Sequence, residues 1–139
     1  MQKKLNNKSL DKILSVNKII KQPMTTRSEL EYLAQKLNIP NVKVCWLKDC
    51  DALPNVNYII NLGNPHIGGS HWCATSQGYY FDPFGIDPPP QLENLQWTPL
   101  QIQSIRTGYC GNYCMLWLYY AIRNEQDQFY SAFDAYNTP

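Results

Sequence analysis

The sequence lacks a long apolar segment. The longest uninterrupted one, Tyr113 to Ile122, is far too short to cross a lipid bilayer. The opening MQKKLNNKSL contains no apolar stretch of the signal-peptide type. The five cysteines are an odd number and lack the spacing of a secreted disulfide framework. We therefore expect a soluble intracellular protein that has no membrane partner and keeps its thiols reduced and available for chemistry.

Histidine is scarce as well, since the chain has only His66 and His71. The cysteine and histidine spacings are C-x4-C, H-x4-H and C-x3-C, and none of them is paired with another at the spacing of a zinc finger. The sequence therefore predicts no metal site. It also restricts the possible bases for a reactive thiol to two residues.

The composition is that of one globular domain, with 139 residues of which 44% are hydrophobic and 13% aromatic. The charge is uneven, because residues 1–48 hold ten Lys/Arg and three Asp/Glu, whereas residues 49–139 hold two and eight. The basic half either meets an acidic partner such as nucleic acid or folds back onto the acidic half. The lysines nearest the start are Lys3, Lys4, Lys8 and Lys12.

Hydrophobic periodicity predicts an α+β domain over residues 1–139. We expect a basic arm and helix at residues 1–22, a core at residues 25–123, and a tail or short surface helix at residues 124–139. Thr26-Arg27-Ser28-Glu29 has the pattern of a capping box that opens a helix. Residues 110–124 are apolar almost all round and predict a helix in the middle of the core. Strands are predicted at 42–46, 56–61, 71–75, 79–82 and 100–103, with a tight hairpin between the third and fourth.

One set of residues has the chemistry of a thiol nucleophile. Cys110 lies at the first turn of the buried helix, where the helix dipole and the N–H groups favour a thiolate, and Gly111 allows close backbone approach. His71 is the better base because it follows a flexible Gly-Gly pair and starts a strand. Asp82, at the other end of the hairpin, can orient the imidazole. Gln103 can direct its amide to an oxyanion beside the Cys110 N–H.

Two neighbouring residues compete for these roles. Cys114 lies one helical turn after Cys110 and is expected to pack in the core. Asp87 follows Asp82 by five residues, but it precedes three prolines and is expected to face solvent.

Four sequence blocks closely resemble adenain, the maturation protease of adenoviruses, and its relatives in virophages and Polinton-like elements. The resemblance covers roughly residues 25–123. The blocks are Gly68-Gly-Ser-His-Trp-Cys-Ala74, Tyr80-Phe-Asp-Pro-Phe-Gly85, Ile102-Gln-Ser104 and Cys110-Gly-Asn-Tyr-Cys114.

The resemblance implies a papain-related fold of the adenain and Ulp-like group. In that fold a small mixed or antiparallel sheet packs on a central helix that starts at the nucleophile. The family order of histidine, acid, glutamine and cysteine corresponds here to His71, Asp82, Gln103 and Cys110. Adenain has a glutamate as the acid where this chain has an aspartate.

The resemblance further implies a cysteine endopeptidase that processes capsid or core precursor proteins of a virus or virus-like element. Its sites would contain glycine, and it would act in the virion and the host-cell interior, in cytoplasm, nucleus or viral factory. Two alternatives stay open: a deconjugase of ubiquitin-like or SUMO-like proteins, and a non-catalytic binding module on the same fold.

No cofactor is required by the sequence, although the resemblance leaves a polyanion or a peptide open as an activator. The connector from Gly85 to Gln103 lacks the cysteine through which adenain binds its activating peptide, so no disulfide-linked activator is expected. The basic front half predicts weak, salt-sensitive DNA binding that does not depend on the DNA sequence.

Overall fold

A computed structural model of the protein describes residues 23–63, 71–102 and 109–137. Within these residues the chain forms three α-helices, five β-strands and two short 3-10 turns. The helices are α1 (Arg27–Lys36), α2 (Cys110–Ala121) and α3 (Gln126–Asn137). The strands are β1 (Val42–Trp46), β2 (Asn57–Asn61), β3 (Trp72–Ser76), β4 (Tyr79–Phe81) and β5 (Gln96–Trp97). The 3-10 turns are Leu47–Asp49 and Pro90–Leu92.

The five strands form one mixed sheet in the order β1-β2-β3-β4-β5. The outer pairs β1/β2 and β4/β5 are parallel, and the two inner pairs are antiparallel. A mixed sheet that accompanies three helices confirms the predicted α+β class.

The predicted hairpin is confirmed as β3 and β4, with β3 running as far as Ser76. Its two-residue turn, Gln77–Gly78, has positive φ at both positions (52° and 85°), as a tight hairpin of natural twist requires. His71 directly precedes β3 and Asp82 directly follows β4. The antiparallel pairing therefore brings these two residues to the same end of the sheet.

Helix α1 begins at the predicted capping box. The Thr26 hydroxyl accepts a hydrogen bond from the Glu29 N–H (3.2 Å), and the Glu29 carboxylate accepts one from the Thr26 N–H (3.1 Å). Leu30 and Leu33 on the inner face are buried. Such caps contribute about 0.5–2 kcal/mol to helix stability.

Helix α2 occupies the centre of the core, as predicted. Ten of its twelve residues are buried, so it has no polar face to turn to solvent. The Trp117 ring stacks on Phe81 of β4, with 5.4 Å between the ring centroids and 6° between the planes. The helix and the hairpin are therefore packed together directly.

The predicted strand at Leu100–Gln103 is wrong for the part that the structure describes. Residues 100–102 are not a strand, and Gln103 lies outside the described residues. The fifth strand is instead Gln96–Trp97, whose first N–H donates to the Gly78 carbonyl (3.0 Å). The Ile102 N–H donates to the Pro83 carbonyl (3.0 Å), so this segment is held against the turn that follows β4.

The C-terminal part contributes more to the core than a surface helix or tail would. Helix α3 carries Phe129, which is fully buried and meets Phe81 edge to face at 5.5 Å. The hydrophobic core therefore includes part of α3. The predicted arm and helix at residues 1–22 lie outside the described residues.

The first turn of α2 is docked closely on the segment before α1. A Cβ atom built on Gly111 would lie 2.7 Å from the Met24 carbonyl oxygen and 2.9 Å from Leu30 Cδ2. Next to it, the buried Asn112 accepts a hydrogen bond from the Met24 N–H (2.8 Å). The close backbone approach expected at Gly111 is confirmed.

This contact predicts the effect of Gly111→Ala on stability. In an open helix the exchange stabilises by about 1 kcal/mol, because alanine is the better helix former. Here we expect it to lower the free energy of unfolding by about 1–3 kcal/mol, since the methyl group would overlap the Met24 carbonyl. Urea denaturation measures the change, and Ser131→Ala, at an exposed position of α3, is the neutral control. A Gly111→Ala variant as stable as the wild type would contradict the packing described.

Candidate active site

Two thiols at the start of α2 contact the backbone of Trp72. The Trp72 N–H donates to Cys110 Sγ (3.4 Å), and the Cys114 thiol donates to the Trp72 carbonyl (3.3 Å). The β3/β4 pairing begins only at Ala74, so β4 does not use these Trp72 groups. The N-terminus of the central helix is thereby attached to the end of the hairpin that carries His71.

His71 and Asp82 form a direct pair at that same end. His71 Nε2 lies 2.7 Å from Asp82 Oδ2, and the Asp82 side chain is almost completely buried. Because a carboxylate can only accept, the shared proton belongs to Nε2. The second carboxylate oxygen, Oδ1, accepts a hydrogen bond from the Phe84 N–H (2.8 Å). Hydrogen bonds to both carboxylate oxygens thus fix the orientation of the Asp82 side chain.

The surroundings of the His71 ring favour its protonated form. Burial lowers its pKa, but the hydrogen bond to Asp82 and the interaction with the nearby Cys110 thiol outweigh burial and raise the pKa of His71 to about 9. The ordinary value is near 6.5. At neutral pH the ring is therefore an imidazolium.

The other ring nitrogen is the one available to the cysteine. Nδ1 is buried and makes no hydrogen bond of standard geometry within the part of the chain that the structure describes. Since Nε2 is bound to Asp82, Nδ1 is the ring nitrogen left for the proposed nucleophile. Loose geometry between nucleophile and base is common in enzymes without substrate.

Three groups of positive or hydrogen-bond-donor character lie near Cys110 Sγ. They are the positive end of the α2 dipole, the Trp72 N–H and the His71 imidazolium. Burial raises the pKa of each of the other thiols, so these thiols stay neutral. These are Cys45, for which the value is about 11, Cys50, Cys73 and Cys114.

Three of the four predicted site residues lie together in the structure, namely His71, Asp82 and Cys110. The fourth, Gln103, lies outside the described residues. The competing Asp87 is exposed, as expected, and Asp82 is the carboxylate that contacts His71. Cys114 is fully buried, which confirms its expected place in the core.

The sequence pattern predicts no role for Phe84, but the structure brings this residue into the site. Its ring stacks on the His71 imidazole with a centroid distance of 4.7 Å and an angle of 9°. An aromatic residue two positions after an aspartate has no distinctive spacing, so nothing in the pattern indicates a histidine partner. Its presence in the Tyr80–Gly85 block that resembles adenain was the one available signal.

A groove of about 350 Å³ opens beside Trp72, between the start of α1 and the C-terminal end of β1. Trp72 connects the groove to the site through its backbone contact with Cys110, but His71, Asp82 and Cys110 are not among the lining residues. Its lining residues are Thr25, Thr26, Arg27, Lys43, Val44, Cys45, Trp46, Asp49, Asn61 and Trp72.

Among residues 23–63, 71–102 and 109–137, no group of three or more His, Cys, Asp or Glu could hold a metal ion. No helix in these ranges is both long enough and apolar enough to span a membrane. Comparisons with protein-family models, with curated proteins and with solved structures found no match.

The His71–Asp82 pair predicts the effect of Asp82→Asn. This exchange keeps the shape of the side chain but removes the charge that stabilises the imidazolium, so the pKa of His71 should fall from about 9 by at least one unit. An NMR titration of the imidazole protons measures the shift. Asp87→Asn, at the exposed aspartate, should leave the titration unchanged. An unaltered His71 titration in Asp82→Asn would mean that another group raises the pKa.

Proposed function

We propose that the protein is a cysteine endopeptidase of the adenain and Ulp-like group. The observation that carries the proposal is the meeting of three segments distant in sequence: His71 pairs with Asp82 at the hairpin end, and the N–H of the next residue, Trp72, donates to Cys110 Sγ at the first turn of the buried helix. Each of these residue types has a defined function in thiol catalysis. The mixed sheet packed on a helix that starts at the thiol is consistent with a papain-related fold.

In the proposed mechanism, the Cys110 thiolate attacks the carbonyl carbon of the scissile peptide bond. The tetrahedral intermediate collapses to a thioester when His71 gives its proton to the leaving amine. His71 then takes a proton from water as the water attacks the thioester carbonyl. Breaking the C–S bond releases the acid product and restores the thiolate and the imidazolium. Asp82 keeps the ring in the tautomer that both steps need.

The oxyanion would be stabilised by the Cys110 N–H and the Gln103 amide. The Cys110 N–H is at the first position of α2, where the helix ladder does not use it. The contribution of Gln103 remains a prediction.

We further propose that the substrates are capsid or core precursor proteins of a virus or virus-like element, cleaved at glycine-containing sites in the virion or the host-cell interior. The groove beside Trp72 has room for part of an extended peptide. Non-specific DNA binding through the basic front half also stays a prediction, since its first lysines precede the described residues.

The nucleophile is tested by Cys110→Ala. Removing the sulfur should abolish cleavage of peptides from a Gly-Gly-containing library and leave the fold intact, while Cys50→Ala should retain activity. In the wild type, iodoacetamide should modify Cys110 before the other cysteines, whose thiols stay neutral. Normal cleavage by Cys110→Ala with loss in Cys114→Ala would contradict the assignment. Processing of ubiquitin-like precursors without internal peptide cleavage would favour the deconjugase.

The acid is tested by a matched pair of aspartate variants. Asp82→Ala removes the group that orients His71 and should reduce kcat by a factor on the order of 10^4, by analogy with the serine-protease triad. Asp87→Ala removes an exposed carboxylate of the same size and should leave kcat within about twofold of the wild type. Steady-state cleavage of one peptide by both variants measures the difference. Equal small effects would indicate a Cys-His dyad.

A further inference from the structure

The turn that follows β4 orients an aromatic ring as well as the acid. The Phe84 ring lies face to face with the His71 imidazole at 4.7 Å, on a turn closed by a hydrogen bond from the Gly85 N–H to the Asp82 carbonyl (2.9 Å). We propose that Phe84 is a positioning residue that holds the plane of the His71 ring, so that one nitrogen faces Asp82 and the other is turned to Cys110. This inference rests on the proposed peptidase function.

The imidazole needs a second constraint because a single hydrogen bond does not fix a ring. The hydrogen bond from Nε2 to Asp82 Oδ2 fixes the position of one ring atom. The plane of the ring can still rotate about an axis through that atom. Nδ1 has no standard hydrogen bond within the described ranges that would stop this rotation. A flat partner stacked at 9° restricts the plane itself, and its π-face also attracts the imidazolium charge.

Phe84 is itself held firmly enough to act in this way. Its N–H donates to Asp82 Oδ1 (2.8 Å), so the acid and the aromatic ring are parts of one turn. The turn is braced from outside, since the Ile102 N–H donates to the Pro83 carbonyl (3.0 Å). Gly85 has φ of +72°, and a Cβ atom there would lie 2.9 Å from the Leu100 backbone. Movement of Phe84 away from His71 would therefore require movement of the whole segment.

A merely structural role fits the surroundings of Phe84 less well. The side chain is half-buried and belongs to neither of the two apolar core clusters found in the described part of the chain. The nearby core aromatic ring is Phe81, which packs on Trp117 and Phe129 instead. A smaller apolar residue at position 84 should leave the core as it is.

The test compares Phe84→Leu, Phe84→Tyr and the control Ile86→Ala, which shortens an exposed apolar side chain two residues further on. In Phe84→Leu we expect kcat to fall about 10- to 100-fold with little change in KM, because a misplaced ring affects the transition state more than binding. The pKa of His71 should fall by about half a unit when the π-face is removed. Phe84→Tyr keeps an aromatic ring and should leave kcat and the pKa of His71 close to their wild-type values. Ile86→Ala should change neither quantity.

Two readouts keep this inference distinct from the proposed function. The upfield ring-current shift of the His71 protons and the NMR titration of His71 need no substrate, so they report on the stack even if the wild type cleaves no peptide. A Phe84→Leu variant with an unchanged His71 titration overturns the proposal. So does a variant with lower thermal stability but wild-type kcat, since Phe84 would then be structural only. Loss of kcat with a lowered His71 pKa, and rescue by tyrosine, supports it.

Discussion

The backbone of Trp72 is the contact on which the arrangement of helix and sheet depends. Its N–H and carbonyl are buried and extend beyond the last β3/β4 pair, so they need partners from elsewhere. Cys110 and Cys114 supply them from successive turns of α2. Rotating the helix by one residue would break both bonds. The position of the proposed nucleophile is therefore determined by the same hydrogen bonds that dock the central helix, and Gly111 permits the matching contact on the opposite side.

A buried carboxylate imposes the second constraint. Asp82 is 4% exposed, and a charge in such a place costs stability unless its oxygens are bonded. Phe84 N–H satisfies one oxygen and His71 the other. The turn after β4 and the histidine thus stabilise each other, because the Asp82 carboxyl group is hydrogen-bonded to both of them. In this protein the folding requirement and the proposed chemistry share the same bonds.

The sequence predicted the parts of this site that depend on local pattern. Capping residues identified α1, and two short strand-like segments joined by a tight turn identified the hairpin that brings His71 and Asp82 together. Period-two alternation failed at Leu100–Ile102, where the chain braces the acid turn instead of pairing in the sheet. β5 has only two residues, too few for any period to appear. The stacking of Phe84 on His71 and the burial of Phe129 arise from tertiary packing, which a periodic sequence pattern does not predict.

The pKa values of His71 and Cys114 follow from these contacts. His71 has a pKa of about 9 because Asp82 and Cys110 both favour its positive form, while burial alone would have lowered it. Cys114, one turn further along the same helix, has only desolvation and other negative groups around it, and its pKa lies well above the ordinary value. Two thiols of one helix thus lie in different surroundings, since Cys110 Sγ accepts from the Trp72 N–H whereas the Cys114 thiol donates to the Trp72 carbonyl. The contacts among His71, Asp82, Trp72 and Cys110 all lie within the described part of the chain.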